Sequence, residues 1–321
     1  MSMNNAVQVS DQSGKKNPNR SISSIDRAET MKNPADLWAK NAGLAKLDAL
    51  VGLKESKEQI KKIIAFHAIR KFAATQGKKL KNISYHMEFI GNPGTAKTTT
   101  ARLVAQIMYE QGITATNKFI EASRADLVGE YAGHTAMKTK KLVGEAYGGV
   151  LFIDEAYSLM EDRAGGFGDE AINSLVVEIE NHRNDMVVIL AGYPKEMAHL
   201  FECNPGLRSR IPFTVNFPDY SLSELLEITK LIAEENGYSL GNDVQDKLTP
   251  IFEAAMKGES FGNGRFVRNL VENAQLTKAA SLMNNHIRNL TVEECFTLSA
   301  SDFDQVCLPD DHASRKVIGF S

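Results

Sequence analysis

The stretch IGNPGTAKTTTA, residues 90–101, decides the fold. It matches the phosphate-loop pattern G-x-x-x-x-G-K-[ST] at Gly91, Lys97 and Thr98, with Ala96 where the second glycine is expected. In such a loop, backbone N–H groups and a helix N-terminus face phosphate oxygens, the lysine adds charge at the β- and γ-phosphates, and the hydroxyl binds Mg²⁺. If the backbone at Ala96 needs a positive φ, alanine costs about 1 kcal/mol relative to glycine, which the surroundings can offset.

Strand and helix patterns alternate around this loop. A short apolar run leads into it and a helical pattern follows, which is the context that supports a phosphate-binding role. The central apolar runs are continuous, as in parallel strands that are buried on both faces. The sequence therefore predicts an α/β fold with a five-stranded parallel sheet between helices. The five predicted strands are residues 85–91, 118–123, 149–156, 186–193 and 212–218.

A second, smaller domain follows Pro218, where the strand signal nearly stops and three helical patterns begin. At the other end of the chain, the first 33 residues are polar and cannot bury enough apolar surface to offset their ordering entropy. The predicted organisation has four parts. They are a disordered arm at 1–33, a large α/β domain at 34–218, an α-helical domain at 219–309 and a tail at 310–321.

Length and charge limit the class of protein. A chain of 321 residues predicts roughly two domains. Its net charge of -3 argues against a main role in binding nucleic acid. The three cysteines lack C-x-x-C spacing, which favours reduced thiols in the cytoplasm. Neither a signal peptide nor an apolar run of about 18 residues is visible, so we expect no membrane span.

Two adjacent carboxylates end a predicted strand of four apolar residues, in GGVLFIDEAYSL at residues 148–159. Carboxylates at the end of a buried strand are costly unless they meet a cation. Asp154 is placed to hold Mg²⁺, and Glu155 is placed to polarise the water that attacks a γ-phosphate. The alternative is a surface turn that carries two acids.

Two other nucleotide-binding classes are disfavoured. A GTPase guanine pocket usually needs N-K-x-D, and the chain's Asn-Lys pair, NKFI at residues 117–120, lacks the aspartate. Small-molecule kinases rarely combine the Asp-Glu pair with a helical second domain. The residues therefore favour ATP as the nucleotide and hydrolysis as the reaction.

Two further segments supply arginines that could reach a phosphate. Arg208 and Arg210, in NPGLRSRIPF, precede the last predicted strand. An arginine that acts across a subunit boundary contributes about 10³ to 10⁵ in rate in known cases. Arg265, in FGNGRFVRN, begins a helix of the second domain, and Arg268 one turn later is the alternative. In both segments the arginines could instead pair with nearby surface acids.

Several stretches together resemble the AAA+ ATPases of the stage V sporulation protein K and CbbX group, in which CbbX is the red-type Rubisco activase. The resemblance covers roughly residues 45–310. It implies a homo-oligomeric ring, usually a hexamer, with ATP at the subunit interfaces, a helical lid domain and a loop that faces a central pore. The stretches are GNPGTAKTTTARL, LVGEYAGHTAMKT, GGVLFIDEAYSL, VVILAGYPKEM and NPGLRSRI with FPDYS.

The resemblance also implies roles for individual residues. Arg210, or else Arg208, would act on the neighbouring subunit's ATP, Arg265 would be the second sensor and Tyr131 the pore-loop aromatic. The asparagine that often serves as first sensor is absent, and Tyr193 stands near its place without an assigned role. The residues implied for ATP and Mg²⁺ are Val51, Gly52 and Leu53 at adenine, Asn92, Pro93, Gly94, Thr95, Ala96, Lys97, Thr98 and Thr99 at the phosphates, Thr98 and Asp154 at Mg²⁺, and Glu155 at the attacking water.

Three functions stay open at this point: a motor or chaperone that remodels a protein client, a nucleotide-switched scaffold with little turnover, and a DNA-directed ring motor. The presence of Glu155 and Arg210 favours the first, and the negative net charge counts against the third. Within the first, the client could be Rubisco or a protein of sporulation or secretion. The polar arm and residues 167–186 favour the sporulation type.

Overall fold

The computed structural model describes residues 41–129, 131, 133–161, 167–258, 261–284 and 291–304. The predicted arm at 1–33 and the predicted tail at 310–321 lie outside these residues.

Five parallel strands form the central sheet, in the order β2-β3-β4-β1-β5. All carboxyl ends therefore meet at one edge, where the phosphate loop follows β1 and the Asp154–Glu155 pair follows β3. The predicted five-stranded parallel sheet is confirmed. The strands are β1 Met87–Gly91, β2 Phe119–Ala122, β3 Val150–Ile153, β4 Val187–Gly192 and β5 Phe213–Phe217.

Eight helices and a 3₁₀ turn surround the sheet in the described part of the chain. The helix after the phosphate loop ends at Gln111, and Gly112 caps it with a φ of 73°, a left-handed conformation common at helix C-termini. The helices α1, α4, α7 and α8 and the 3₁₀ turn were not predicted. Of these, α7 and α8 begin with a proline at the first helical position, where its missing N–H costs nothing. The helices are α1 Ala42–Ala49, α2 Lys54–Thr75, α3 Lys97–Gln111, α4 Arg124–Leu127, α5 His134–Ala146, α6 Phe167–Asn181, α7 Pro194–Cys203 and α8 Pro205–Arg208, with the 3₁₀ turn at Ala156–Met160.

Apolar side chains cover both faces of the sheet. Along β3, Val150 and Phe152 belong to one buried cluster, and Leu151 and Ile153 belong to the other. This alternation follows from the two-residue period of a strand, and it explains why the sequence of β3 is apolar without interruption.

A helical unit follows β5 and completes the described chain. Its first helix begins with a capping box between Ser221 and Glu224. The larger buried cluster runs from the sheet into this unit, since it includes Phe217 of β5 and Phe252 of α10. A two-residue parallel strand pair, absent from the sequence prediction, joins β6 to β7. The elements are α9 Leu222–Glu235, β6 Ser239–Leu240, α10 Val244–Ala255, α11 Asn263–Asn284, α12 Val292–Cys295, β7 Thr297–Leu298 and a 3₁₀ turn at Ala300–Phe303.

Within the described ranges, no helix combines the length and the apolar composition that a bilayer crossing requires.

Candidate active site

A cleft of about 160 Å³ lies at the carboxyl edge of the sheet. It brings together the phosphate loop after β1, the carboxylate pair after β3, the end of β4 and the first turn of α11. These segments are far apart in sequence, and most of the cleft's residues carry roles expected from the sequence. The cleft is lined by Pro93, Gly94, Thr95, Ala96, Lys97, Thr98, Thr99, Asp154, Glu155, Gly192, Tyr193 and Arg265.

The backbone of the phosphate loop is left-handed at two positions. Ala96 has φ 61° and ψ 27°, in the left-handed region, and directly precedes α3. Gly94 has φ 72°. Ala96 therefore occupies a backbone geometry that favours glycine, at a cost of about 1 kcal/mol. The Thr95 hydroxyl donates a hydrogen bond to the Asn92 carbonyl at 2.8 Å, one of the contacts that hold the loop.

Lys97 is the buried cation of the cleft. Its Nζ donates hydrogen bonds to the carbonyl oxygens of Gly91 at 2.7 Å and Asn92 at 2.8 Å, and the residue is 8% exposed. Burial lowers the pKa of Lys97 to about 8, although the nearby Asp154 carboxylate opposes this shift. The chain's own carboxylates therefore do not fully offset the cost of burying this positive charge, and an anionic ligand would offset more of it.

The two carboxylates after β3 differ in exposure and backbone geometry. Asp154 is half-buried, and its Oδ1 accepts a hydrogen bond from the Glu155 N–H at 3.0 Å. Glu155 is exposed and has φ 48°, a left-handed conformation that is strained for a glutamate. Oxygen donors such as the Asp154 carboxylate and the Thr98 hydroxyl are those that Mg²⁺ prefers, so the donor set of the cleft fits this metal.

Tyr193 lies in the cleft, near the place where many AAA+ proteins have an asparagine as first sensor. Its hydroxyl donates to Oε1 of Glu155 at 3.5 Å, and Nζ of Lys97 lies 5.7 Å from the centre of its ring. Burial, reinforced by the negative charge of Glu155, raises the pKa of Tyr193, so its hydroxyl keeps its proton at neutral pH. Tyr193 is therefore a hydrogen-bond donor directed at Glu155.

The two candidate arginines of the loop before β5 have different partners. Nη1 of Arg208 lies 2.6 Å from Oε1 of Glu88, a carboxylate on β1 that is 2% exposed. The Thr214 hydroxyl donates to the same oxygen at 2.5 Å. Nε of Arg210 lies 3.2 Å from the exposed Glu180 carboxylate. Neither arginine lines the cleft of its own chain.

Several other residues singled out in the sequence also lie outside the cleft. Val51, Gly52 and Leu53 form the turn before α2, where Leu53 is buried with φ 54°. Arg268 is exposed and does not line the cleft, so the structure brings Arg265 of the two to the phosphate loop. Tyr131 is 66% exposed.

Sequence reasoning missed Asn263. The stretch GNGR was interpreted as the start of a helix that carries Arg265, and the asparagine had no assigned role. The residue has φ 47° and is fully buried against the phosphate loop. An asparagine between two glycines, before a helix that contributes to the site, is a signal that could have identified it, because asparagine tolerates the left-handed region and its amide can bind backbone groups.

The comparisons with known proteins agree with this geometry. Residues 87–219 match the model of the ATPase family associated with various cellular activities (AAA), and residues 221–314 match that of the AAA lid domain. Stage V sporulation protein K of Bacillus subtilis is 45% identical over 240 residues, which are 74% of this chain and 74% of the relative. The chain belongs to the AAA family of ATPases.

One further relative and one solved structure are similar to this AAA ATPase. The chloroplastic ribulose bisphosphate carboxylase/oxygenase activase of Cyanidioschyzon merolae is 40% identical over 79% of the chain and 87% of the relative. The crystal structure of the FIGL-1 AAA domain in complex with ADP aligns with a TM-score of 0.57 at 19% identity, covering 79% of this chain and 80% of that one. The second likeness shows the fold alone. The resemblance stated from the sequence is therefore confirmed.

Proposed function

We propose that this AAA ATPase binds ATP and Mg²⁺ in the cleft at the carboxyl edge of the sheet and uses hydrolysis to remodel a protein client. The observation that carries the proposal is the convergence of Lys97, Asp154, Glu155 and Arg265 on one cleft beside the phosphate loop. Mg²⁺ would supply charge neutralisation at the phosphates, held by Thr98 and Asp154.

The chain's own groups have separate tasks in this proposal. The backbone N–H groups of Asn92 and of residues 94–99 bind phosphate oxygens, and Lys97 exchanges its carbonyl partners for them. Glu155 accepts the proton of the attacking water, and the Tyr193 hydroxyl orients its carboxylate. Arg265 brings a positive charge from the lid. We propose that Val51, Gly52 and Leu53 contact the adenine. Gly52 lies against the lid, because a Cβ at this position would be within 3 Å of the Glu224 carboxylate.

The domain extents remain proposals as well. We propose an AAA domain at 34–218 and a lid at 219–309, with an arm and a tail outside them. The matches at 87–219 and 221–314 support the division near Pro218. We also propose a cytoplasmic location, supported by the unpaired thiols of Cys203 and Cys295.

A ring, which we propose to be a hexamer, would place an arginine of one subunit at the ATP of its neighbour. Arg210 suits this role better than Arg208, because removing Arg208 from Glu88 would leave a buried carboxylate without its cation. Among the described residues, Arg210 binds the exposed Glu180 carboxylate and local loop atoms, and such a pair is easily exchanged.

Mixed oligomers test this assignment. Arg210→Ala and Lys97→Ala should each be inactive alone. Mixing them should restore ATPase activity, since some interfaces then pair an intact Lys97 with an intact Arg210. The control pair is Lys97→Ala with Glu155→Gln, both on the same side of an interface, which should recover nothing. A lack of recovery with Arg210→Ala, in mixed oligomers confirmed by native mass spectrometry, would contradict a role across the interface.

Tyr131 is our proposal for the residue that grips the client in the pore. Tyr131 is 66% exposed, and its ring packs edge-on against that of His134, with 5.6 Å between the ring centres. It therefore presents apolar surface to a neighbour. Tyr131→Ala should keep basal ATPase and lose client remodelling and client-stimulated turnover. Tyr109→Ala, which removes a 42% exposed tyrosine of α3, is the matched control. Equal effects of the two variants would count against the pore role.

The relatives point to two candidate clients. The identity of 45% to stage V sporulation protein K favours a client of that type, and the 40% identity to the algal activase makes Rubisco the second candidate. Glu155→Gln should hold ATP and trap its client. Proteins that co-purify with this variant but not with Lys97→Ala would identify the client, and recovery of Rubisco activity by the wild type would decide for the second candidate.

A further inference from the structure

The first turn of α11 packs directly on the phosphate loop through backbone atoms. The Gly264 N–H donates to the Gly94 carbonyl at 3.1 Å. A side chain at Gly94 would place its Cβ 2.1 Å from the Gly262 oxygen and 2.7 Å from the Arg265 nitrogen. The two backbones are thus too close for any residue but glycine at position 94. A displacement of the loop is therefore transmitted to the lid helix without an intervening side chain.

Asn263 binds three segments at this contact. Its Oδ1 accepts the Tyr220 N–H at 3.0 Å, and its Nδ2 donates to Oδ1 of Asp219 at 2.7 Å. The same Nδ2 lies 3.3 Å from the carbonyl oxygens of Pro93 in the phosphate loop and Phe261 in the lid. The residue is fully buried and has φ 47°. Glycine would fit this backbone better, so it is the amide group that accounts for asparagine here.

Asp219 completes the link from the other side. It lies in the connection between β5 and α9, and its two carboxylate oxygens accept from Nδ2 of Asn92 at 3.0 and 2.9 Å. Asn92 is the first residue of the phosphate loop. One carboxylate therefore accepts hydrogen bonds from the loop and from the lid at once, with the order Asn92–Asp219–Asn263.

We propose that Asp219 and Asn263 are positioning residues that couple the lid to the phosphate loop and thereby hold Arg265 in the cleft. This inference rests on the proposed function of the cleft. Arg265 follows Asn263 by two residues in the first turn of α11. The hydrogen bonds of Asn263 therefore fix the position of the Arg265 backbone beside the cleft. Binding of nucleotide phosphates to the loop then stabilises one orientation of the lid, and that orientation in turn raises the affinity for nucleotide.

An exchange of the two groups tests the coupling. Asn263→Asp removes the donor and places two carboxylates 2.7 Å apart, while Asp219→Asn with Asn263→Asp restores an amide-to-carboxylate bond in the reverse direction. We expect Asn263→Asp to raise the KM for ATP at least tenfold, and the exchanged pair to recover most of that loss. Asn273→Asp, an exposed position on the same helix, is the control and should change neither KM nor kcat.

A double-mutant cycle separates positioning from general stability. If Asn263 acts through Arg265, then Arg265→Ala should cost much less in the Asn263→Asp background than in the wild type. Full additivity of the two effects would overturn the proposal, whatever happens to the melting temperature. If Asn263→Asp does not fold, Asn92→Ala, which removes only the loop side of the link, takes its place in the cycle.

A readout without turnover keeps this inference distinct from the proposed function. ADP should slow hydrogen exchange at Gly264 and Arg265 in the wild type and less so in Asn92→Ala. Unchanged exchange protection in the variant would contradict the coupling while the cleft could still bind nucleotide. Failure of the wild type to bind nucleotide, by contrast, would contradict the proposed function itself.

Discussion

The carboxyl and amino edges of the central sheet contain different kinds of unfavourable structure. Besides the buried Lys97, the carboxyl edge contains strained backbone: four non-glycine residues of the described chain have a positive φ. Of these, Ala96 and Glu155 line the cleft, and Asn263 contacts Pro93 of the phosphate loop. Leu53, the fourth, lies in the turn proposed for adenine. Strained backbone of this kind persists only where the surroundings hold it, and it is common at functional sites.

At the amino edge the cost lies in buried side chains instead. His86, which precedes β1, is fully buried and accepts the Val188 N–H at 3.0 Å. His67 lies nearby on α2, 3.1 Å from the Tyr85 hydroxyl, beside a groove of about 700 Å³. Burial lowers the pKa of both histidines to about 4, so both are neutral at pH 7. Changes at the carboxyl edge should thus alter turnover, and changes at the amino edge should alter the pH dependence of stability.

The largest expected effect belongs to the carboxyl edge. Glu155→Gln should lower kcat by about 10²- to 10⁴-fold, because the amide cannot accept the proton of the attacking water. ATP binding and thermal stability should change little. Steady-state ATPase and equilibrium binding of a fluorescent ATP analogue measure the two quantities. Glu161→Gln, just beyond the 3₁₀ turn, is the control; wild-type turnover in Glu155→Gln would remove Glu155 from the reaction.

The next effect belongs to the amino edge. The folded pKa of His86 lies near 4 and the unfolded value near 6.5, so the unfolded state binds its proton first as the pH falls. The free energy of unfolding should therefore decrease by ~3 kcal/mol between pH 6.5 and pH 4 from this residue. Urea unfolding across that range measures the decrease. In His86→Gln, the free energy of unfolding should decrease less over the same pH range. An equal decrease would show that other groups cause the pH dependence.

A smaller effect concerns protons taken up at the cleft. The Lys97 pKa of about 8 should rise when phosphates replace its carbonyl partners, so ATP binding above pH 8 should take up a proton. The affinity for ATP should then fall by up to about tenfold per pH unit above 8. Calorimetry in two buffers with different ionisation enthalpies measures the uptake. Lys97→Arg, which stays charged, should bind without it; uptake in that variant would point to another group.

The smallest effect tests the strain directly. Ala96→Gly should stabilise the protein by about 1 kcal/mol, because glycine adopts φ 61° without steric cost, and ATP binding should be kept or slightly strengthened. Ala65→Gly, at an exposed position inside α2, should destabilise by a similar amount. Opposite signs in thermal melts are expected; the same sign for both would mean that Ala96 is not strained.

The sequence predicted most of the carboxyl edge, because the pattern of the phosphate loop and the apolar run before Asp154 are local signals. It could not separate Arg208 from Arg210, since the difference lies in Glu88, 120 residues away on a central strand. It also missed Asn263, whose partners at Pro93 and Asp219 lie in other segments. Polar contacts between distant segments leave no periodic trace in the sequence, whereas strands and helices do.

The buried cluster that runs from the sheet into the lid has a consequence for how the chain melts. Phe217, Leu225 and Phe252 belong to the same cluster as Phe89 and Ile60, so no solvent-filled boundary divides the two units there. The large domain and the lid should unfold as one cooperative block, with a single calorimetric transition whose van't Hoff and calorimetric enthalpies agree. A chain that stops at Pro218 would expose the apolar residues that the lid covers and should aggregate rather than fold as a smaller version of the same protein.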